Sequence, residues 1–363
     1  MTGIARTELA TPALLVDRPA LDRNIAAMAR FVADRGLALR PHAKTHKSAD
    51  IARRQVAAGA VGICCAKLGE AEALAAEGIA DIHLTSPVVR SDAIRRLILL
   101  NDRITLSLVV DHPAIVEALA RAAEAAGRTL TLFIDVDPGT RRTGVASPGA
   151  AVALARSIAA APALRLGGVQ FYCGAQQHIA TRTERNAAIT QLTTRLATLL
   201  DALRDDGHPV PVVTGGGTGS FAIDAELGVL TELQCGSYIF LDREYEDCEL
   251  GGGGAPAFER ALFLDSTVIS ANHAGIVTLD AGLKAMATDA GPPRPLWPGA
   301  RYHFMGDEHG ALLSDGPLPM LGERVVLQPP HCDPTVNLYD RFHLLEGERI
   351  VAEWPVTARG RAT

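Results

Sequence analysis

A lysine set between two histidines, in Arg40-Pro-His-Ala-Lys-Thr-His-Lys-Ser48, is the stretch of this sequence best suited to covalent chemistry. Residues 37–40 before it read as a short strand, and 49–58 after it as a helix. Strand exits are where α/β folds carry reactive groups. In an extended segment alternate side chains share a face, so Lys44 would stand beside His42 and His46. Taken alone, the segment also fits a solvated basic turn.

A second constellation is Thr214-Gly-Gly-Gly-Thr-Gly-Ser220, between a strand and a helix. Backbone N–H groups of such a turn can hold a phosphate. The spacing fails the dinucleotide fingerprint, whose third glycine would fall at Ser220, and no lysine makes it a P-loop. Gln234-Cys-Gly-Ser-Tyr238 closes the next strand with another Gly-Ser pair. Two neighbouring strand exits rich in N–H and hydroxyl donors suit one phosphate monoester, at the place barrels usually bind it.

Further groups could carry chemistry. In Pro330-His-Cys-Asp-Pro-Thr335, His331 and Asp333 would share a face in extended geometry, with Cys332 turned away. An imidazole and a carboxylate suit Mn²⁺, Zn²⁺ or Mg²⁺, with Co²⁺ also compatible; a polar turn is the plainer alternative for an isolated pair. Phe171-Tyr-Cys-Gly-Ala-Gln-Gln-His178 offers His178 as a general acid or base and Tyr172 as a donor. Asp135-Val-Asp-Pro-Gly-Thr-Arg-Arg-Thr-Gly-Val145 offers an arginine pair. Gly306-Asp-Glu-His-Gly310 sets Asp307, Glu308 and His309 in one turn, as a site or as a solvated loop.

The elements that must position these groups alternate. Apolar runs at 13–17, 61–66, 81–86, 106–110, 129–137, 164–172 and 210–214 are each followed by helical periodicity. Such alternation means a parallel sheet with helices outside. About eight units predict a (β/α)₈ barrel over 13–250, a doubly wound sheet being the alternative. After the glycine tract at 251–254, read as a mobile loop, short strands separated by Gly, Pro, Asn and Asp predict a mainly β domain over 255–363, joined by about 1–12.

Composition sets the class. The 363 residues are 48% hydrophobic and 21% charged, with net charge −6, which gives no nucleic-acid footprint. No apolar run is long enough for a membrane span, and the N-terminal residues lack a signal-peptide pattern. Six cysteines without zinc-finger spacing predict reduced thiols in a cytoplasmic protein. A reactive lysine, a phosphate cradle and a barrel with a β domain together point to pyridoxal 5′-phosphate.

Pro41-His-Ala-Lys-Thr-His-Lys47, Gly62-Ile-Cys-Cys-Ala-Lys67, Gly215–Ser220, Gln234–Tyr238, Asp280-Ala-Gly-Leu-Lys284 and His331-Cys-Asp333 resemble, in this order, the motifs of D-threonine aldolases. These enzymes share the alanine-racemase-like fold of pyridoxal-phosphate enzymes. The resemblance spans nearly the whole chain and implies a homodimer. It also implies Lys44 as the Schiff-base lysine. Gly216, Gly217, Thr218, Gly236 and Ser237 would hold the phosphate, with Tyr238 beside them. Tyr172 and Arg142 would lie near the ring, His178 would handle the hydroxyl proton, and His331 and Asp333 would bind the metal.

The implied reaction is retro-aldol cleavage of a β-hydroxy-D-amino acid to glycine and an aldehyde. D-Serine and 3-hydroxy-D-aspartate dehydratases resemble the chain as well, but typically carry H-x-C where Asp333 stands here. A non-catalytic cofactor carrier would need no metal pair. A racemase would need a second Cα base, a catalytic tyrosine from the β domain, which has no clear counterpart.

Overall fold

The predicted strand–helix alternation is present in the computed structural model, which describes residues 3–363. Eight parallel strands lie in the order Ala38–Leu39, Glu232–Leu233, Val212–Gly215, Leu164–Phe171, Leu130–Val136, Thr105–Val110, Asp81–Leu84, Ile63–Cys65. The two ends of this row meet. Val61 N–H donates to Leu39 O (2.9 Å), Cys64 N–H donates to Pro41 O (2.9 Å), and His42 bridges Cys64 in parallel. Closure removes both sheet edges and sets every strand exit around one mouth.

Helices pack outside this ring. Asp17 caps Arg18–Ala33, with Ala20 N–H donating to its carboxylate (2.8 Å). Ser147 caps Pro148–Ala159, and Thr181 caps Arg182–Asp205. Each cap supplies an acceptor for a first-turn N–H that has no partner within its own helix.

One apolar run is placed elsewhere than its position in the alternation suggested. Ala13–Asp17, read as the first barrel strand, pairs antiparallel with Leu262–His273 and parallel with Arg341–Glu346 in the second sheet. Glu232–Leu233 takes the eighth barrel place. Leu14, Leu15 and Val16 are buried on both faces of their strand, each worth about 1.5–3 kcal/mol. A strand enclosed on both faces looks the same in sequence in either kind of sheet.

The second sheet has ten strands, mostly antiparallel. Its long member, Leu262–His273, is a single strand of 12 residues where the sequence pattern predicts short ones. Towards one edge, inside the terminal strand Ile4–Ala5, lies a hairpin, Arg341–Glu346 with Arg349–Pro355, that the sequence pattern did not announce. Leu264, Val268, Leu279, Leu312 and Leu327 form a core of their own, while Leu14, Leu262, Phe342 and Leu344 belong to the barrel's core. The glycine tract is tied down, with Arg35 donating to Gly253 O (2.7 Å). No helix among the described residues is long and apolar enough to cross a membrane.

Candidate active site

Lys44 sits just beyond the Ala38–Leu39 strand, but not in extended chain: Ala43–Thr45 form a 3₁₀ turn. The expected shared face of His42, Lys44 and His46 is therefore lost. His42 turns inward; its Nδ1 accepts from Lys44 N–H (3.3 Å) and its Nε2 meets Thr85 Oγ1 (3.1 Å). Thr85 donates that hydroxyl to Cys65 O (3.3 Å), so His42 Nε2 carries the proton. His46 is fully buried and accepts from Ser48 N–H (3.0 Å). Burial pushes His42 well down and His46 to about 4, so both are neutral structural imidazoles.

Only Lys44 of the two neighbouring lysines has a free amine. Lys47 is locked onto Glu70, whose other oxygen accepts from Ala66 N–H (3.0 Å) and Lys67 N–H (3.1 Å). The Lys44 side chain keeps 39% of its accessibility, and its Nζ lies 3.8 Å from Asp333 Oδ2 and 5.6 Å from the Tyr172 ring centroid. Burial works against the Lys44 ammonium, but Tyr172 and Asp333 outweigh it and the net shift is upward. The Arg142 guanidinium also stands 5.6 Å from the Tyr172 centroid. Its loop is pinned from within the barrel, because Thr143 donates to Asp135 (2.7 Å) and Gln170 donates to the other Asp135 oxygen (3.0 Å).

The glycine turn is built around a residue that composition did not single out. Gln177 is fully buried; its Oε1 accepts from Gly219 N–H (2.9 Å) and its Nε2 donates to Ser220 Oγ (3.0 Å). A Cβ at Gly217 would stand 2.5 Å from Gln177 Oε1, one at Gly219 2.0 Å from Gln177 O, and one at Gly236 2.6 Å from Thr45 Oγ1. Gly216 has φ +70°, the left-handed region that glycine adopts without strain. Gly217 N–H is spent on Ser220 Oγ (3.0 Å), so Gly217 does not offer a free donor. Thr218 and Ser237 are buried at the same mouth, and Thr45 Oγ1 is a buried hydroxyl without a partner. Tyr238 points away: its hydroxyl accepts from Gln55 (3.1 Å), its ring packs on Phe258, and only its N–H reaches Thr218 Oγ1 (2.9 Å).

The β sheet supplies the other wall. His331 is extended, but Cys332–Val336 is a short helix, so Asp333 lies in its first turn and not on a strand. Asp242, in the loop after the barrel's last strand, holds this segment by accepting from Cys332 N–H (3.0 Å) and Tyr245 N–H (3.2 Å). Burial raises Asp242 to about 6. Cys332 is fully buried, and burial pushes its thiol far up, so it is no rival ligand to Asp333. Asp333 Oδ1 is buried without a hydrogen-bond partner. His331 Nδ1 lies 2.7 Å from Asp289 Oδ2. Burial disfavours the His331 cation, yet Asp333 and Asp289 raise it on balance. Among the described residues no cluster of three or more His, Cys, Asp or Glu could hold a metal ion.

His178 completes the ring of groups. It stacks on Tyr245 with centroids 4.5 Å apart, and its Nε2 lies 3.9 Å from Glu244 Oε2. Burial lowers its pKa more than Glu244 raises it, and His331 and Lys44 push the same way as burial, so the ring is neutral at pH 7. Lys44, His178, Tyr172, Arg142, His331 and Asp333 thus surround one mouth, at which barrel and β sheet meet. Asp307 and Glu308 do not join them; they pair with Lys284 at an exposed hairpin turn.

Of the groups that hold this mouth together, Gln177 lay inside a motif-bearing stretch and Asp242, Glu244 and Tyr245 followed one. Asp289 had no signal in the sequence.

Comparison with known proteins agrees with this architecture. Residues 16–244 match the alanine racemase N-terminal domain, and residues 261–345 match the "Putative serine dehydratase domain". A D-threonine aldolase from Arthrobacter sp is 38% identical over 353 residues, covering 96% of this chain and 93% of the relative. A 3-hydroxy-D-aspartate aldolase from Paracoccus denitrificans (strain Pd 1222) is 36% identical over 367 residues, covering 99% and 95%. The crystal structure of D-threonine aldolase from Filomicrobium marinum superposes with a TM-score of 0.98 at 39% identity, covering 100% of this chain and 99% of that one.

Proposed function

Since the chain belongs to the alanine-racemase-like family that includes the D-threonine and 3-hydroxy-D-aspartate aldolases, we propose that it is a lyase cleaving D-threonine and related β-hydroxy-D-amino acids to glycine and an aldehyde, with pyridoxal 5′-phosphate and a divalent metal. The observation that carries this is the meeting of a free barrel lysine with an acidic group of the β sheet: Lys44 Nζ lies 3.8 Å from Asp333 Oδ2, with the neutral imidazole of His178 at the same mouth.

The residues fit the cofactor. Lys44 has the available amine. Gly216, Gly217 and Gly236 let the turns pack closely, since a Cβ at each would meet Asp224, Gln177 or Thr45, and beside them the orphaned Thr45 Oγ1 and the buried Thr218 and Ser237 bring hydroxyls to the position a phosphate would take. Tyr172 and Arg142 would lie near the ring, Lys44 Nζ and the Arg142 guanidinium each standing 5.6 Å from the Tyr172 centroid. Bound there, the cofactor supplies an electron sink for the pair released at Cα. They also fit a divalent ion, Mn²⁺ before Mg²⁺, Co²⁺ or Zn²⁺: His331 and the orphaned Asp333 Oδ1 would hold it, and the two-ligand set leaves room for a substrate oxygen. Such an ion supplies Lewis acidity to the β-hydroxyl.

The chain's own groups then divide the work. His178, neutral and packed at a tilt of 45° against Tyr245, takes the hydroxyl proton as Cα–Cβ breaks. Lys44, whose amine lies at the same mouth, would return a proton to Cα. Thr218 and Ser237 would hold the phosphate end, which would help to keep the reacting bond in one orientation. Asp333 in place of a thiolate keeps the site hard, which favours Mn²⁺ over Zn²⁺.

We place the boundary of the barrel unit at Arg18 and assign Ala13–Asp17 to the β unit, because of its strand partners. A cytoplasmic homodimer is supported by six free cysteines among the described residues and by exposed Met305, Met320 and Leu321. Product analysis with D-threonine tests the function. Glycine and acetaldehyde support it; 2-oxobutanoate would make the protein a dehydratase.

A further inference from the structure

We infer that Asp289 is the positioning residue of the metal pair, holding His331 in the tautomer and orientation that point its Nε2 lone pair at the ion. The inference rests on the metal reading above and assigns a residue that lies 42 positions from His331 in sequence.

The chemistry of the contact fixes the tautomer. A carboxylate only accepts, so at 2.7 Å from Asp289 Oδ2 the Nδ1 of His331 must be the protonated nitrogen. In a neutral imidazole this leaves Nε2 as the nitrogen with a free lone pair. Metal-bound histidines commonly have their second nitrogen on a carboxylate in this way, which orients the ring and strengthens the ligand.

Asp289 keeps 54% and His331 26% of its side-chain accessibility, and an exposed pair is worth little by itself, so what fixes this contact is the backbone on either side of it. Both backbones are tied together by one hydroxyl. Thr335 Oγ1 accepts from Ala287 N–H (3.0 Å) and donates to His331 O (2.7 Å), two residues from Asp289 on one side and at His331 itself on the other. Arg243 adds a third strut: its guanidinium donates to Ala290 O, and its N–H donates to Pro329 O (3.3 Å). The loop carrying Asp289 is thus fixed to the segment carrying His331 and to the last barrel loop. Asp333, the other ligand, is held separately through Asp242 and Cys332 N–H.

The test is Mn²⁺ titration of chelator-stripped, cofactor-loaded protein against a competing chelating dye, for the wild type, Asp289→Ala and Asp289→Asn. Cofactor absorbance and melting temperature serve as controls for folding. Asp289→Ala is expected to bind Mn²⁺ about 10–100-fold more weakly. Asp289→Asn, whose amide oxygen still accepts from Nδ1–H, is expected to recover most of that loss. Undiminished binding by Asp289→Ala overturns the inference while leaving the metal site standing. Equal loss in both variants also overturns it, because the carboxylate would then be a ligand itself. Failure of the wild type to take up Mn²⁺ defeats the metal reading and this inference together.

Discussion

Lys44 Nζ and Asp333 Oδ2 stand 3.8 Å apart, one from the turn after a barrel strand and the other from the first turn of a short helix in the β unit. The pair is 289 positions apart in sequence, and neither unit contains a complete site. Lys44 is therefore the residue whose loss is most specific. Borohydride reduction of the holoprotein should trap the cofactor on Lys44, and Lys44→Ala should lose the long-wavelength cofactor absorbance. Lys47 is held by Glu70; a trapped cofactor on Lys47 or Lys67 would contradict the assignment.

The glycine turn should tolerate no side chain at its narrowest points. In Gly217→Asp the new Cβ meets Gln177 Oε1 at 2.5 Å, and a carboxylate there would push against the amide that holds the turn and add negative charge beside it. Cofactor affinity should fall severalfold or more, as followed by absorbance titration. Gly219→Ala should weaken it too, since its Cβ meets backbone, Gln177 O, at 2.0 Å. NAD should bind to none of these proteins; tight NAD binding by the wild type would refute the phosphate-monoester reading.

Replacing His178 separates chemistry from binding. His178→Phe keeps a ring against Tyr245 but removes the base. Turnover should fall by about 10²–10⁴-fold while cofactor loading stays intact. A variant with near wild-type turnover would remove His178 from the mechanism.

Acid sensitivity follows from histidines buried neutral beneath the site. His83 Nε2 donates to Gln170 Oε1 (3.2 Å) and its Nδ1 accepts from Ser107 (2.8 Å); burial lowers it to about 3. The unfolded chain protonates this ring near pH 6.5, the folded one only near 3. Below 6.5 the unfolded state therefore binds more protons, and stability is lost as pH falls from 6.5 towards 3, by at most about 1.4 kcal/mol per pH unit. His46, at about 4, acts in the same direction. Asp224, raised by burial to about 7, acts in the opposite one but is common to both proteins compared. The melting temperature of His83→Asn should thus fall less steeply between pH 6.5 and 4 than that of the wild type. Parallel curves would show that His83 does not titrate this way.

What the sequence revealed and what it concealed divide along locality. Strand–helix alternation, the Lys44 turn, the glycine turn and the His331–Asp333 spacing are written within a dozen residues each. The sheet to which Ala13–Asp17 belongs depends on partners at 262–265 and 343–345, and a buried apolar run is silent about its neighbours. The extended geometry assumed around Lys44 failed because His42 Nδ1 captures Lys44 N–H and favours a turn. The same assumption failed at Asp333, where Pro334 follows and the chain enters a helical turn. Tyr238 looked like a site donor, but its hydroxyl is taken by Gln55, 183 positions away. Asp289 lies in a polar loop with no periodicity, so only the fold brings it to His331.

The most direct measurement is the product balance from D-threonine with cofactor-loaded protein, before chelation, after it, and after Mn²⁺ is restored. Equal amounts of glycine and acetaldehyde should form before chelation and again after Mn²⁺, with none between, while the Lys44-bound cofactor absorbance persists throughout. Full-rate cleavage by metal-free protein, or 2-oxobutanoate as the product, would contradict a metal-assisted aldol cleavage at the mouth shared by Lys44, His178, His331 and Asp333.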